Sequence, residues 1–307
     1  MSIFPTVNSP DLFLPSLRAA GVLLGIGFLI ILFFARQNLH GLFQKELGLR
    51  FISWIFLIAL YLTGIFLGQI WGKAVLFVMI FLALLEFNRA VHLGNRYFFL
   101  LVGEGLVSVW VAFRHPELFA AIPALALVLL PVIPLASNQV EGAFEKMAAA
   151  YVGFIYIIWS LTHLVLLSWH SYGIGLLILV GFGSAMADVG AYTIGNLLKP
   201  GHLIAPNVHP RKAYEGVLGD LLGAALAVWL FQFAIPPNFG PIEIVVLVIL
   251  IALGSSFGDL TSSLLKRNFG LKDWGYILPG HGGVLDRLNS LIFVTPLVFY
   301  FVLLAER

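Results

Sequence analysis

Long apolar runs separated by short polar breaks fill the chain from near its start to its end. A membrane-spanning helix needs about 20 mostly apolar residues. Residues 16–35, 52–70, 72–88, 98–113, 118–136, 147–168, 171–197, 212–234, 242–265 and 288–304 meet or approach that length. The pattern predicts an all-α fold, a polytopic membrane bundle of about ten transmembrane helices. The number is nine if the short break near Gly72 and Lys73 is not a loop. No long soluble stretch interrupts the runs, and no internal repeat is visible.

Composition agrees with the pattern. Of the 307 residues, 60% are hydrophobic and 10% charged, against about 25% charged in soluble domains. A net charge of +2 is too small to argue for nucleic acid. The chain has no cysteine, which removes disulfides, thiolate metal sites and cysteine nucleophiles. Its first fifteen residues carry Pro5, Pro10 and Pro15 but neither Lys nor Arg. They lack the basic start of a cleavable signal, so the first apolar segment is expected to remain as an anchor.

Basic residues set the orientation. With ten spans, thirteen of the 17 Lys and Arg fall on one side, and only Arg18, Lys73, Arg114 and Arg307 on the other. That puts both ends outside and the loops 199–212 and 266–287 in the cytoplasm, where nucleotides are.

The N-terminal part, residues 1–146, reads as transmembrane scaffold, and 147–307 as the catalytic region. Glu86 and Glu104 read as groups near helix ends, Glu86 sharing a helix face with Arg89. Beyond 147 the polar residues change character. Asp188 lies deep in an apolar run, with Tyr192 and Gly195 on the same helix face. A bare charge there costs several kcal/mol unless a partner or a water-filled cavity receives it. Ser184, Gly190 and Gly195 allow close helix approach. Next, Lys212, Gly216, Gly219, Asp220 and Gly223 form one small and polar face. Arg211 and Lys212 stand at the start of that helix, where free N–H groups also draw anions. Positive-inside anchoring accounts for those two cations but not for Glu215 and Asp220 continuing into the span.

Charge and glycine concentrate most in Gly258–Asn289. Lys266, Arg267, Lys272, Arg287, Asp259, Asp273, Asp286 and His281 share this stretch with five glycines between Gly270 and Gly283. Asp259, Ser263, Lys266 and Arg267 fall on one helix face. Two carboxylates brought together suit Mg²⁺, which takes oxygen ligands and substrate phosphates, and the cations suit a triphosphate and its leaving pyrophosphate. The expected site is a polar cavity opening to the cytoplasmic side.

At these residues the chain resembles the phosphatidate cytidylyltransferases, the CDP-diacylglycerol synthases. Their C-terminal signature is met without a gap by Ser263, Lys266, Arg267, Lys272, Asp273, Gly275, Pro279, His281, Gly282, Gly283, Asp286 and Arg287. Upstream, ADVGAY (187–192) is similar to the family's SDTGAY, and HPRKAYEG (209–216) to its SPKKTWEG. Two positions depart: Ala187 replaces a usual serine, and Asn289 the last signature aspartate. The resemblance covers about residues 183–290.

It implies transfer of CMP from CTP to phosphatidate in phospholipid biosynthesis, with Mg²⁺ as cofactor and a second divalent or a monovalent cation left open. Asp259 and Asp286 are implied as metal ligands and, with Lys266, Arg267, Lys272, His281 and Arg287, as catalytic residues. Asp188, Tyr192, Arg211, Lys212, Glu215, Ser263, Asp273, Gly282, Gly283 and Asn289 are implied in substrate binding. The setting is a bacterial inner membrane, with CTP, a lipid phosphate and membrane lipids as partners, no nucleic acid, and a homodimer left open. Asn289 keeps a second reading alive, a paralogue with another lipid phosphate acceptor. Intramembrane acids keep a third, a transporter.

Overall fold

The computed structural model describes residues 9–35, 46–198, 201–278 and 282–306, and among these it is helical, with no strand. Each of the ten apolar runs carries helix. α1 (Ser9–Ala35), α2 (Glu46–Phe66), α3 (Gln69–Val91) and α4 (Asn95–Arg114) come first. A 3₁₀ turn (Pro116–Ala121) then leads into the short α5 (Ile122–Leu129) and α6 (Val132–Ala136). A π-helical stretch, Phe154–Trp159, joins α7 (Ala143–Gly153) to α8 (Ser160–Ser168). Last come α9 (Gly173–Leu197), α10 (Tyr214–Leu230), α11 (Pro241–Asn268) and α12 (Val284–Ala305).

Eight of the described helical segments are long and apolar enough to cross a membrane. The other two expected spans are shorter: an apolar stretch of Phe51–Phe66 within α2, and α10 with 17 residues. At 1.5 Å per residue α10 is about 26 Å long, and its first two turns are given over to Glu215 and Asp220. The break expected near Gly72 and Lys73 lies earlier, at Gly68, whose φ of +104° is left-handed and favours glycine. Gly72 is inside α3, with its backbone close against Gly64.

Bare backbone holds the C-terminal helices together. A Cβ on Gly190 would lie 2.1 Å from the Gly219 carbonyl oxygen, and one on Gly223 would lie 2.0 Å from that of Met186. α9 and α10 therefore cross with main chain against main chain. α11 and α12 do the same, since a Cβ on Gly258 would meet the Asn289 carbonyl oxygen at 2.4 Å. Small residues are how membrane helices gain packing when apolar surface alone cannot drive association. Gly223→Ala should force α9 and α10 apart at a cost of about 1–3 kcal/mol, as for other overpacked interfaces. Thermal unfolding of the detergent-solubilised protein should show a clear loss of stability. Gly21→Ala, where nothing lies within 4 Å of the added carbon, should change little.

The N-terminal helices pack onto this core. The Tyr61 hydroxyl donates to the Leu177 carbonyl at 2.7 Å. α3 reaches α12 through Glu86. Glu86 lies near the end of α3, as the sequence reading had it, but Glu104 is not near a helix end. Glu104 sits halfway along α4, and Glu86 is 1% exposed and bonded to a helix 198 residues away.

Candidate active site

The loop between α9 and α10 delivers Lys212 into a nest of acids. Its ammonium donates to Asp220 Oδ2 at 2.9 Å on α10 and to Asp259 Oδ2 at 3.0 Å on α11. Ser256, one turn before Asp259, also donates to Asp220 Oδ2. Lys212 and Asp220 are almost fully buried, and Asp259 is 26% exposed. Burial by itself would lower the ammonium's pKa, but Asp259 and Asp220 reverse this and hold it above the ordinary lysine value. Lys212 is thus a fixed cation, not a base.

Two further helices close the cluster. From α12, Asn289 Nδ2 donates to Asp259 Oδ1 at 2.7 Å, and the Asn289 side-chain oxygen accepts from the Ser290 N–H at 2.8 Å. The Ser290 hydroxyl donates to Asp188 Oδ1 on α9 at 2.8 Å. Asp188 lies within electrostatic reach of Asp259, Asp220 and Lys212. Three acidic side chains thus gather around one ammonium.

A second cluster lies at the α11–α12 turn. Lys266 donates to Asp286 Oδ1 at 2.6 Å, while Asp286 Oδ2 accepts from the N–H groups of Trp274 at 2.8 Å and Gly283 at 3.0 Å. The Trp274 indole N–H donates to the Ser262 hydroxyl at 3.0 Å. Lys266 stands two turns after Asp259, and Asp286 one turn before Asn289, so both clusters use the same seam between α11 and α12. His209 adjoins both. Burial holds its imidazole below the ordinary histidine range; Asp259 opposes that shift, and Lys212 and Lys266 reinforce it.

The other expected site residues take several positions. Ser263 is buried, Asp273 half-buried beside Gly282, and Gly282 is left-handed at φ +79°. Arg267 is exposed and donates to the Leu271 carbonyl at 3.1 Å. Arg211, Lys272 and Arg287 are exposed cations, and Tyr192 is 46% exposed. Glu215 accepts from the Gly201 N–H at 3.0 Å and so ties the α9–α10 loop to α10. His281 lies outside the described residues. Sequence reasoning placed Asp220 on a polar face but not in the site. It missed Ser256, Ser262, Trp274 and Ser290, whose residue types carry no signal in an apolar chain.

The two residues expected to ligate metal belong to different clusters. Asp286 has both oxygens engaged by an ammonium and two backbone N–H groups, and Asp259 has both engaged by Lys212 and Asn289 but shares that ammonium with Asp220. Among the described residues no three acids or histidines form a metal cage. Mg²⁺ needs no such cage, since one or two carboxylates plus substrate phosphates hold it. Asp220 Oδ1 is buried without a hydrogen-bond partner among the described residues. An orphaned carboxylate oxygen in a cluster of acids fits a hard cation.

The sequence model of the Cytidylyltransferase family matches residues 48–305. A phosphatidate cytidylyltransferase of Staphylococcus haemolyticus is 33% identical over 178 residues, 57% of this chain and 65% of that protein. One from Synechocystis is 43% identical over 122 residues, 38% of this chain and 40% of that protein. The chain therefore spans less than two thirds of either relative. An Escherichia coli protein named Uncharacterized protein YnbB is 28% identical over 271 residues, covering 84% of this chain and 87% of its own.

Proposed function

The chain belongs to the cytidylyltransferase family, and we propose that it makes CDP-diacylglycerol from CTP and phosphatidate. The observation that carries the reading is Lys212 buried between Asp220 and Asp259, with Asp188 alongside. Family membership and the apolar helices support a membrane nucleotidyltransferase over the transporter reading.

In the proposed reaction a phosphate oxygen of phosphatidate attacks the α-phosphorus of CTP. The new P–O bond forms as the bond to the β-phosphate oxygen breaks, and pyrophosphate leaves in line. The nucleophile is already an anion, so no covalent enzyme intermediate is needed. Lys266, aimed by Asp286, binds phosphate together with the exposed Arg211, Arg267, Lys272 and Arg287. Lys212 fixes Asp220 and Asp259 in place. Those two would hold Mg²⁺, which offsets triphosphate charge when bound. The Lys and Arg asymmetry supports a cytoplasmic site in a bacterial inner membrane.

Purified protein given α-labelled CTP, phosphatidate and Mg²⁺ should move label into organic-extractable lipid. No incorporation with any lipid phosphate, while a family enzyme works beside it, would remove the proposal. Asn289 favours one second reading, a different lipid phosphate acceptor, because the amide lies against Asp259 in the cluster's centre. An acceptor screen in the same assay separates the two.

A further inference from the structure

A helix N-terminus leaves its first N–H groups without intrahelical partners and attracts anions. α12 begins directly after Gly282 and Gly283, where a triphosphate-handling chain would be expected to place a phosphate. The protein fills that position itself. Gly283 N–H donates to Asp286 Oδ2 at 3.0 Å, Val284 N–H to Glu86 Oε1 at 3.0 Å and Leu285 N–H to Glu86 Oε2 at 2.8 Å. Glu86 comes from α3, in the part of the chain that reads as scaffold.

The surroundings are shaped to this carboxylate. A Cβ on Gly275 would lie 2.4 Å from Glu86 Oε1, and one on Gly283 would lie 2.5 Å from Oε2. Two of the signature's glycines are therefore bare because Glu86 occupies the space. The next residue on α3, Phe87, packs its ring 5.8 Å from that of Trp274. Trp274 in turn donates its N–H to Asp286. One turn of α3 thus grips both the 274–275 loop and the start of α12, the two pieces of backbone that orient Asp286 and, through it, Lys266.

We propose that Glu86 is a positioning residue for cytidylyl transfer: it caps α12, sets the Asp286–Lys266 pair, and keeps substrate phosphate off the helix terminus and on the Lys and Arg side chains. The proposal rests on the transferase reading above.

Glu86→Gln keeps the shape but turns one acceptor into an N–H₂ facing a backbone N–H. A misplacement of about 1 Å can cost about 10²-fold, so kcat per folded molecule should fall by about that factor. KM for CTP should stay within about threefold, because the exposed cations remain. In Glu86→Ala, formate or acetate should restore part of kcat by refilling the paired N–H groups. A purely structural role would lower the folded fraction and show no such rescue. Amide exchange supplies a readout apart from activity. Val284 and Leu285 should be strongly protected in the wild-type chain and lose that protection in Glu86→Gln. Wild-type activity in the same assay separates failure of this idea from failure of the transferase reading. The proposal is overturned by a folded Glu86→Gln with kcat within threefold of wild type. It is equally overturned by a wild-type chain whose Val284 and Leu285 amides exchange as freely as that of exposed Tyr276, a measurement that needs no folded variant.

Discussion

Lys212→Met should abolish label transfer from CTP and also destabilise the protein. Methionine nearly matches lysine in length but removes the ammonium that Asp220 and Asp259 share at 2.9 and 3.0 Å. Breaking a buried ion pair by deleting one partner costs about 3–5 kcal/mol, because the other charge stays buried without compensation. Here two carboxylates are left, with Asp188 near them. Losing the group that fixes both acids should lower kcat/KM by at least about 100-fold, the scale for removing one preorganised electrostatic contact. Lys212→Arg should not rescue it, since a planar guanidinium cannot occupy the point between two acids that an ammonium does.

The double variant Lys212→Met with Asp220→Asn separates the two effects. Neutralising Asp220 removes much of the uncompensated charge, so thermal stability should recover toward wild type. Activity should not, because the proposed cation site has lost a ligand and its organiser. Recovery of activity along with stability would make the cluster a packing device and sink its proposed role. Wild-type turnover by Lys212→Met would do the same more directly.

How far the sequence exposes this arrangement depends on the kind of residue. Apolar runs locate the helices because burying or lipid-exposing them is a property of composition. Gly190, Gly219 and Gly223 are legible for the same reason, as small residues at helical spacing can only mean close approach. Charged residues in apolar runs stand out too, so Asp188 and Asp259 are found by cost alone. What charge cost does not tell is partnership. Asp286 and Asp259 look equivalent along the chain. Only the fold shows that Asp286 takes two backbone N–H groups and Lys266, while Asp259 takes Lys212 and Asn289. Glu86 is the clearest case. Its neighbour in sequence is Arg89, and its main partners lie 198 and 199 residues away. Backbone N–H groups are present at every position but proline, so no residue pattern marks which of them a distant carboxylate will cap.

Asn289→Asp should couple the protein's stability to divalent cation more strongly than in the wild type. Asn289 currently donates to Asp259 Oδ1 at 2.7 Å and is itself only 8% exposed. The substitution removes that donor and sets a second carboxylate against Asp259. A hydrogen bond to a charged group contributes about 1.5–3 kcal/mol, and like-charge repulsion adds to its loss. Without divalent cation the variant should therefore unfold at a lower temperature. Mg²⁺ should reverse the loss, because an added carboxylate raises affinity for a hard cation and binding to the folded state alone stabilises it by mass action. The Mg²⁺-induced rise in melting temperature should exceed that of the wild type, and activity should saturate at lower Mg²⁺. If phosphatidate is the natural acceptor and Asn289 restrains the enzyme, turnover at saturating Mg²⁺ should also rise. If another lipid phosphate is the acceptor, it should not, although the stability coupling remains. A variant whose melting is as insensitive to Mg²⁺ as to buffer would remove the cation from the Asp259 side of the cluster.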